Sequence, residues 1–121
     1  MDKLSWLASK AVILNDHKLL TLRMPGYLDL PGGRMKEKET PEKAVIREVK
    51  EELGIRSKPR SFLGTIVSSK RCNGFGLTFF VFLVDAEVDS VNTDLDYCWT
   101  PFRPGMIEEI LGGNFVKISS D

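Results

Sequence analysis

The stretch from 33 to 55 reads Gly33-Arg34-Met35-Lys36-Glu37-Lys38-Glu39-Thr40-Pro41-Glu42-Lys43-Ala44-Val45-Ile46-Arg47-Glu48-Val49-Lys50-Glu51-Glu52-Leu53-Gly54-Ile55. Thr40 before Pro41 is a strong helix start: a hydroxyl that can accept a free amide of the first turn, then a residue whose missing N–H costs nothing there. Leu53-Gly54 is the matching stop, because glycine enters the left-handed conformation that ends a helix without a Cβ penalty. The spacing predicts a helix from Pro41 to Leu53. At about 3.6 residues per turn, Val45, Ile46, Val49 and Leu53 fall on one side, expected to pack on a sheet, and Ala44, Arg47, Glu48, Glu51 and Glu52 on the other. Glu48 lies one turn before both Glu51 and Glu52, so three carboxylates converge on one patch beside the small Ala44. A solvated acidic face is the plain alternative. Against it, the acids occupy the last two turns, where the helix dipole disfavours negative charge by about 0.3–1 kcal/mol each, so the arrangement calls for a cation. Oxygen-only clusters of this type suit the hard ions Mg²⁺ or Mn²⁺.

Toward the N-terminus, Pro25-Gly26 and Pro31-Gly32-Gly33 make residues 23–34 a loop that cannot be helical and that lets backbone approach something closely. Before it, Lys10-Ala11-Val12-Ile13-Leu14 and Lys18-Leu19-Leu20-Thr21-Leu22 flank Asn15-Asp16-His17 and read as a hairpin. His17, the only histidine, is expected to be a solvated turn residue. Toward the C-terminus, Ser61 to Ser69 and Leu77 to Val84 read as two strands joined through Lys70-Arg71-Cys72-Asn73-Gly74, with Asn-Gly supplying the turn. The second of these is nearly all apolar and is expected to be buried on both faces. The helix at 41–53 covers one face, and a second helix from Gly105 to Leu111, apolar at Met106, Ile107, Ile110 and Leu111, covers the other. The expected fold class is α/β, an α-β-α sandwich.

The remaining arithmetic is consistent with that plan. A chain of 121 residues, 42% hydrophobic and 28% charged, is expected to form one globular domain over residues 1–121. Lys plus Arg and Asp plus Glu balance at 17 each, so no overall field favours nucleic acid or membrane. An anionic ligand must be held by a local arrangement. Cys72 and Cys98 are too few for a disulfide framework and are read as free thiols. Met1-Asp2-Lys3-Leu4-Ser5-Trp6-Leu7-Ala8 lacks the apolar core of a secretory signal, and no apolar run is long enough to span a membrane, so a cytoplasmic location is expected.

Gly33, Glu39, Arg47-Glu48-Val49, Glu51-Glu52 and Gly54-Ile55 match, without a gap, the box G-x5-E-x7-R-E-U-x-E-E-x-G-U of the Nudix hydrolases, where U is aliphatic. Its fixed positions make a chance match of order 10⁻⁹ per starting position. The surrounding order of strands, glycine loop, helix, strands and C-terminal helix also resembles a Nudix domain. The resemblance implies a Nudix-type sandwich with a mixed central sheet. It implies hydrolysis of a nucleoside diphosphate linked to another group, with water attacking one phosphorus of the pyrophosphate under divalent-metal assistance, by Mg²⁺ or alternatively Mn²⁺.

Carried over by position, the resemblance makes Glu48, Glu51 and Glu52 metal ligands, with the Gly33 carbonyl as a further donor. Glu39 assists from the outer shell, and Arg47 orients the carboxylates through charge-assisted hydrogen bonds. Glu52 is the first choice for the base that takes a proton from the attacking water. In some relatives that base lies on the loop before the last helix, which here carries Asp94 and Asp96. Arg23, Arg34 and Lys36 flank the glycine loop and are candidates for substrate phosphates, or else solvated loop charges. Tyr97, Trp99 and Phe102 are candidates for stacking on a base, or else core residues. Subfamily markers are absent, since Lys70-Arg71-Cys72-Asn73-Gly74 holds neither the proline of ADP-ribose pyrophosphatases nor the tyrosine of dinucleoside polyphosphate hydrolases. By exclusion the substrate is a nucleoside triphosphate or a small nucleotide conjugate, taken by a MutT-like monomer or homodimer. A catalytically silent nucleotide-binding or regulatory module is the alternative. A third reading, hydrolysis at an RNA 5′ end, finds local charge in Arg56, Lys58, Arg60, Lys70 and Arg71, but the zero net charge argues against extended nucleic acid.

Overall fold

In chain order the computed structural model, which describes residues 5–72 and 74–117, runs β1 (Ser5–Val12), β2 (Leu14–Asn15), β3 (Lys18–Met24), β4 (Tyr27–Asp29), β5 (Gly32–Arg34), α1 (Pro41–Leu53), β6 (Ser57–Cys72), β7 (Phe75–Ala86), β8 (Tyr97–Pro101) and α2 (Met106–Leu111), with a 3-10 turn at Val88–Ser90 before β8. The main sheet has the order β5-β1-β7-β6. β1 and β7 are parallel while β5 and β6 pair antiparallel with their neighbours, so the sheet is mixed. A second sheet joins β2, β3 and β4, with β8 also paired to β3.

Side-chain alternation along β7 explains the layering. Phe79 and Val81 belong to one buried cluster with Met106, Ile107, Ile110 and Leu111 of α2. Phe82 and Val84 belong to another with Val45, Val49 and Leu53 of α1. Because successive residues of a strand face opposite sides, the two helices cover opposite faces, as the apolar run at 77–84 requires. Among the described residues no helix is long and apolar enough to cross a membrane.

Three local expectations need correction. Residues 10–14 are not one hairpin strand: the chain changes sheets at Ile13, whose side chain is buried and whose carbonyl accepts from the Leu20 amide at 3.0 Å. Only Leu14 and Asn15 pair with β3, across a two-residue turn with Asp16 and His17 at φ 52 and 61°. The glycine-rich stretch is not all loop, since β4 pairs with β3 and β5 with β1, which satisfies backbone groups that would otherwise be orphaned. β6 runs through Lys70 and Arg71, past the expected strand end, while Asn73 and the Cys72 side chain lie outside the described residues. Cys98 is a free thiol.

Candidate active site

The caps of α1 are in place. Thr40 is extended at φ −76° and its Oγ1 accepts the Lys43 amide at 3.2 Å, while Gly54 at φ 70° closes the helix by donating its N–H to Lys50 O. The helix is rolled further than its apolar pattern suggests. Ala44, expected beside the acids on the open side, is fully buried, and Ile46, expected on the packed side, is 39% exposed. Glu48 and Glu52 are correspondingly half-buried, and only Glu51 faces solvent. A Cβ on Gly33 would stand 2.7 Å from the Glu48 carboxylate, so the bare glycine leaves that side chain its present place against β5.

Arg47 ties the rim together. Its Nε and Nη2 donate to Glu39 Oε2 and Oε1 at 2.7 and 2.9 Å, a two-pronged pair, and Nη1 donates to Glu48 at 2.8 Å and Glu51 at 3.2 Å. Nη2 also donates to the Arg34 carbonyl at 3.0 Å, which fixes the end of β5. The hydrogen bonds from Arg47 and from the Lys36 amide hold the Glu39 carboxyl down at about 2. Arg47 itself is held charged beyond its already high ordinary value, chiefly by Glu39.

Glu52 experiences the opposite environment. Its Oε1 accepts the Gly32 amide at 2.6 Å. Burial nonetheless pushes its carboxyl up to about 7, against the pull of that hydrogen bond and of Lys10, and Glu48 and Asp29 push it the same way. Glu51 and Glu52 open on a cavity of ≈ 470 Å³ that is also lined by Asp94. The loop bearing Asp94 is docked on the end of α1, where Asn92 N donates to Leu53 O at 2.9 Å and a Cβ on Gly54 would lie 2.6 Å from Asn92 O. Asp96 does not line that cavity. Its carbonyl accepts the Arg23 amide at 2.8 Å, and the Arg23 guanidinium is raised by a hydrogen bond to Cys98 and by the charges of Cys98 and Asp96.

On the other side of Gly33 lies a cavity of ≈ 630 Å³, floored by Leu77, Phe79 and Ile110 and edged by Tyr27, Arg34 and Lys70. The Arg34 guanidinium also stacks 3.7 Å from the Trp6 ring centre, and the Lys70 ammonium sits 5.3 Å from that of Tyr27. Lys36 lines a separate groove with Glu39. Trp99 packs against the α1-side core from β8, whereas Tyr97 and Phe102 are exposed. Sequence reasoning missed Lys10, Tyr27, Asp29 and Phe79 as lining residues. The signal for Lys10 was a charge between Ala8 and Val12 on the core-facing side of β1.

Among the described residues no three acidic side chains surround one point. The donor set still fits a divalent cation. Glu48, Glu51 and Glu52 are hard oxygen donors on adjacent turns, of which Glu48 lies against Gly33 and Glu52 against the Gly32 amide. The cations Arg47 and Lys10 are outnumbered there by Glu39, Glu48, Glu51, Glu52 and Asp29.

The model of the NUDIX domain family matches residues 6–105. The chain is 32% identical over 88 residues to an 8-oxo-dGTP diphosphatase of Proteus vulgaris, covering 67% of this chain and 79% of that protein. It is 36% identical over 84 residues to an ADP-ribose pyrophosphatase of Methanocaldococcus jannaschii, covering 65% of this chain but only 50% of that one. A crystal structure of a MutT Nudix hydrolase from Burkholderia pseudomallei superposes with a TM-score of 0.71 at 26% identity, over 82% of this chain and 84% of that one. The chain belongs to the NUDIX domain family. It is a pyrophosphohydrolase of that family, whose enzymes act on small nucleotide substrates and generally use a divalent metal.

Proposed function

We propose that this chain hydrolyses the pyrophosphate bond of a nucleoside triphosphate or small nucleotide conjugate, with Mg²⁺ as the working ion and Mn²⁺ as a substitute. The observation that carries the reading is the tucked position of Glu48 and Glu52 against β5, between two open cavities. In this scheme Glu48, Glu51 and Glu52, with the Gly33 carbonyl, hold the cation. When bound, that ion supplies charge neutralisation at the phosphoryl oxygens.

The chain's own residues supply the rest. The Glu39–Arg47 pair keeps Glu48 and Glu51 oriented from the rim. Glu52 takes the proton of the attacking water, with Asp94 as the competitor for that role because it lines the same cavity. Phe79 and the apolar floor receive a base. Arg34, Lys70 and Arg71 at the edge of that cavity favour a triphosphate over a less charged conjugate.

The purified protein is to be incubated with nucleoside triphosphates, an 8-oxo triphosphate, ADP-ribose and nucleotide sugars, with Mg²⁺ or Mn²⁺, at neutral and alkaline pH. Chromatography should show release of a nucleoside monophosphate, with higher kcat/KM for triphosphates than for ADP-ribose. Inactivity across the whole panel, together with retained nucleotide binding, would establish the silent binding module instead. Thermal melts give a second readout. A cation that binds only the folded state should stabilise by about 2.7 kcal/mol at a hundredfold excess over Kd, and Glu52→Gln should lose most of that response.

A further inference from the structure

We propose that Lys10, clamped to Asp29, is a positioning residue that holds the chain at 29–32 so that the Gly32 amide meets the Glu52 carboxylate. The inference rests on the hydrolytic reading above, because Glu52 is the proton acceptor named there. Lys10 stands at the centre of the main sheet, in register with Gly32 on one side and Val81 on the other, and is 6% exposed. It shares a face of β1 with Ala8 and Val12, which belong to the α2-side core. An ammonium is costly to bury without partners, and a lysine with a merely apolar role would run its stem over the surface and keep its head in water. This head is turned inward.

Its hydrogen-bond partners are all in one short segment, while its ammonium also stands 5.5 Å from the Phe79 ring centre. Nζ lies 3.1 and 3.2 Å from the two oxygens of Asp29 and donates to the Leu30 carbonyl at 3.3 Å. Asp29 Oδ1 in turn accepts the Leu30 amide at 2.8 Å. Leu30 is therefore gripped at both its N–H and its C=O immediately before Pro31. Gly32 is also seated on the lysine stem. A Cβ there would overlap the Ser9 carbonyl and lie 2.9 Å from Lys10 Cα and 3.0 Å from Lys10 Cδ. The next contact outward is the Gly32 amide on Glu52. Lys10 thus touches the segment on both sides of Pro31, and the group it delivers is the amide that orients Glu52. A displacement of about 1 Å in such a support can cost 10²-fold in rate.

The test is amide hydrogen exchange and chemical shift at Gly32, read by NMR on metal-free labelled protein, with kcat and KM measured alongside. Lys10→Met alone would strand the Asp29 charge and can unfold the chain, so the main variant is Lys10→Met with Asp29→Asn, which removes both charges together. Asp29→Asn alone is the milder second variant, and Glu52→Ala is the reference for a lost acceptor. Expected in the double variant are Gly32 exchange at least about tenfold faster, a Gly32 shift moved in the same direction as in Glu52→Ala, and kcat at least about tenfold lower with KM little changed. Asp29→Asn should show a smaller change of the same sign. If the double variant does not fold, Asp29→Asn decides. Wild-type Gly32 exchange in whichever variant folds would overturn the proposal, as would a raised KM with unchanged kcat, which would make Lys10 a substrate contact. If the wild type hydrolyses no nucleotide, the hydrolytic reading fails, and the exchange data still decide whether the clamp acts on Gly32.

Discussion

Glu39 stands just before α1 and Glu52 on its last turn, yet the first meets a guanidinium at the rim and the second is pressed into a corner beneath Gly32. Two hydrogen bonds from Arg47 and one from a backbone amide hold Glu39 at about 2, so it stays ionised at any working pH. Burial, outweighing a short amide contact, lifts Glu52 to about 7. Chemically similar carboxyl groups thus acquire different uses. The rim carboxylate is a fixed charge on which Arg47 is mounted. The corner carboxyl can exchange a proton near neutrality, and releases that proton to solvent where a cation binds it.

The comparison breaks most directly at the corner. Glu52→Gln should lower turnover by at least about 10², since loss of a general base alone is worth 10²–10⁴ and a metal donor goes with it. Asp94→Asn and Asp96→Asn should cost less, and of the two Asp94→Asn more, because only Asp94 shares the Glu52 cavity. Steady-state kinetics on the best substrate decide this. Near-normal turnover in Glu52→Gln with abolished turnover in Asp94→Asn would move the base to the loop.

At the rim the expected effect is smaller. Arg47→Lys keeps the charge but cannot reproduce the two-pronged bond to Glu39 while also reaching Glu48, Glu51 and the Arg34 carbonyl. Turnover should fall by about 10–100-fold, the usual cost of an outer supporting partner. A drop as large as that of Glu52→Gln would show that rim and corner act as one unit.

Stability against pH separates the two carboxyls by sign. Glu52 is raised from 4.5 in the unfolded chain to about 7 in the metal-free folded state, so the folded state binds its proton more tightly. Its contribution is fully present below the unfolded value and is lost as pH rises through about 7. Discounted for partial exposure, the loss is on the order of 2 kcal/mol. Denaturant unfolding in chelator should therefore show Glu52→Gln gaining on the wild type as pH rises across this window. A pH-independent difference between the two would remove burial as the cause.

The smallest effect is expected from Glu39→Gln, again with the sign reversed. The lowered carboxyl contributes stability above its unfolded value of 4.5 and loses it as pH falls toward about 2. The variant should be less stable than the wild type by a constant amount above that unfolded value, with the difference closing as pH falls, so that its acid limb is flatter. An unaltered acid limb would mean that the Arg47 pair does not persist in solution.

Helix α1 and its Thr40 and Gly54 caps were legible in the chain alone, because each depends on residues within one or two helical turns of each other. The same holds for the apolar run at 77–84, whose composition already demanded cover on both faces. Other features were settled by contacts between distant segments. Packing on the sheet leaves Ala44 buried and Ile46 exposed, and no helical wheel contains the strands against which α1 packs. The chain's change of sheet at Ile13 follows from where Leu20 and the α1-side core lie. Asp94 rather than Asp96 reached the Glu52 cavity because Asn92 docks on Leu53. Lys10 met Asp29 because β1 and the chain leading into β5 lie side by side. Local spacing therefore specified which acids share the last two turns of α1, while long-range packing specified which of them is buried, since burial depends on neighbours that only the assembled sheet brings into place.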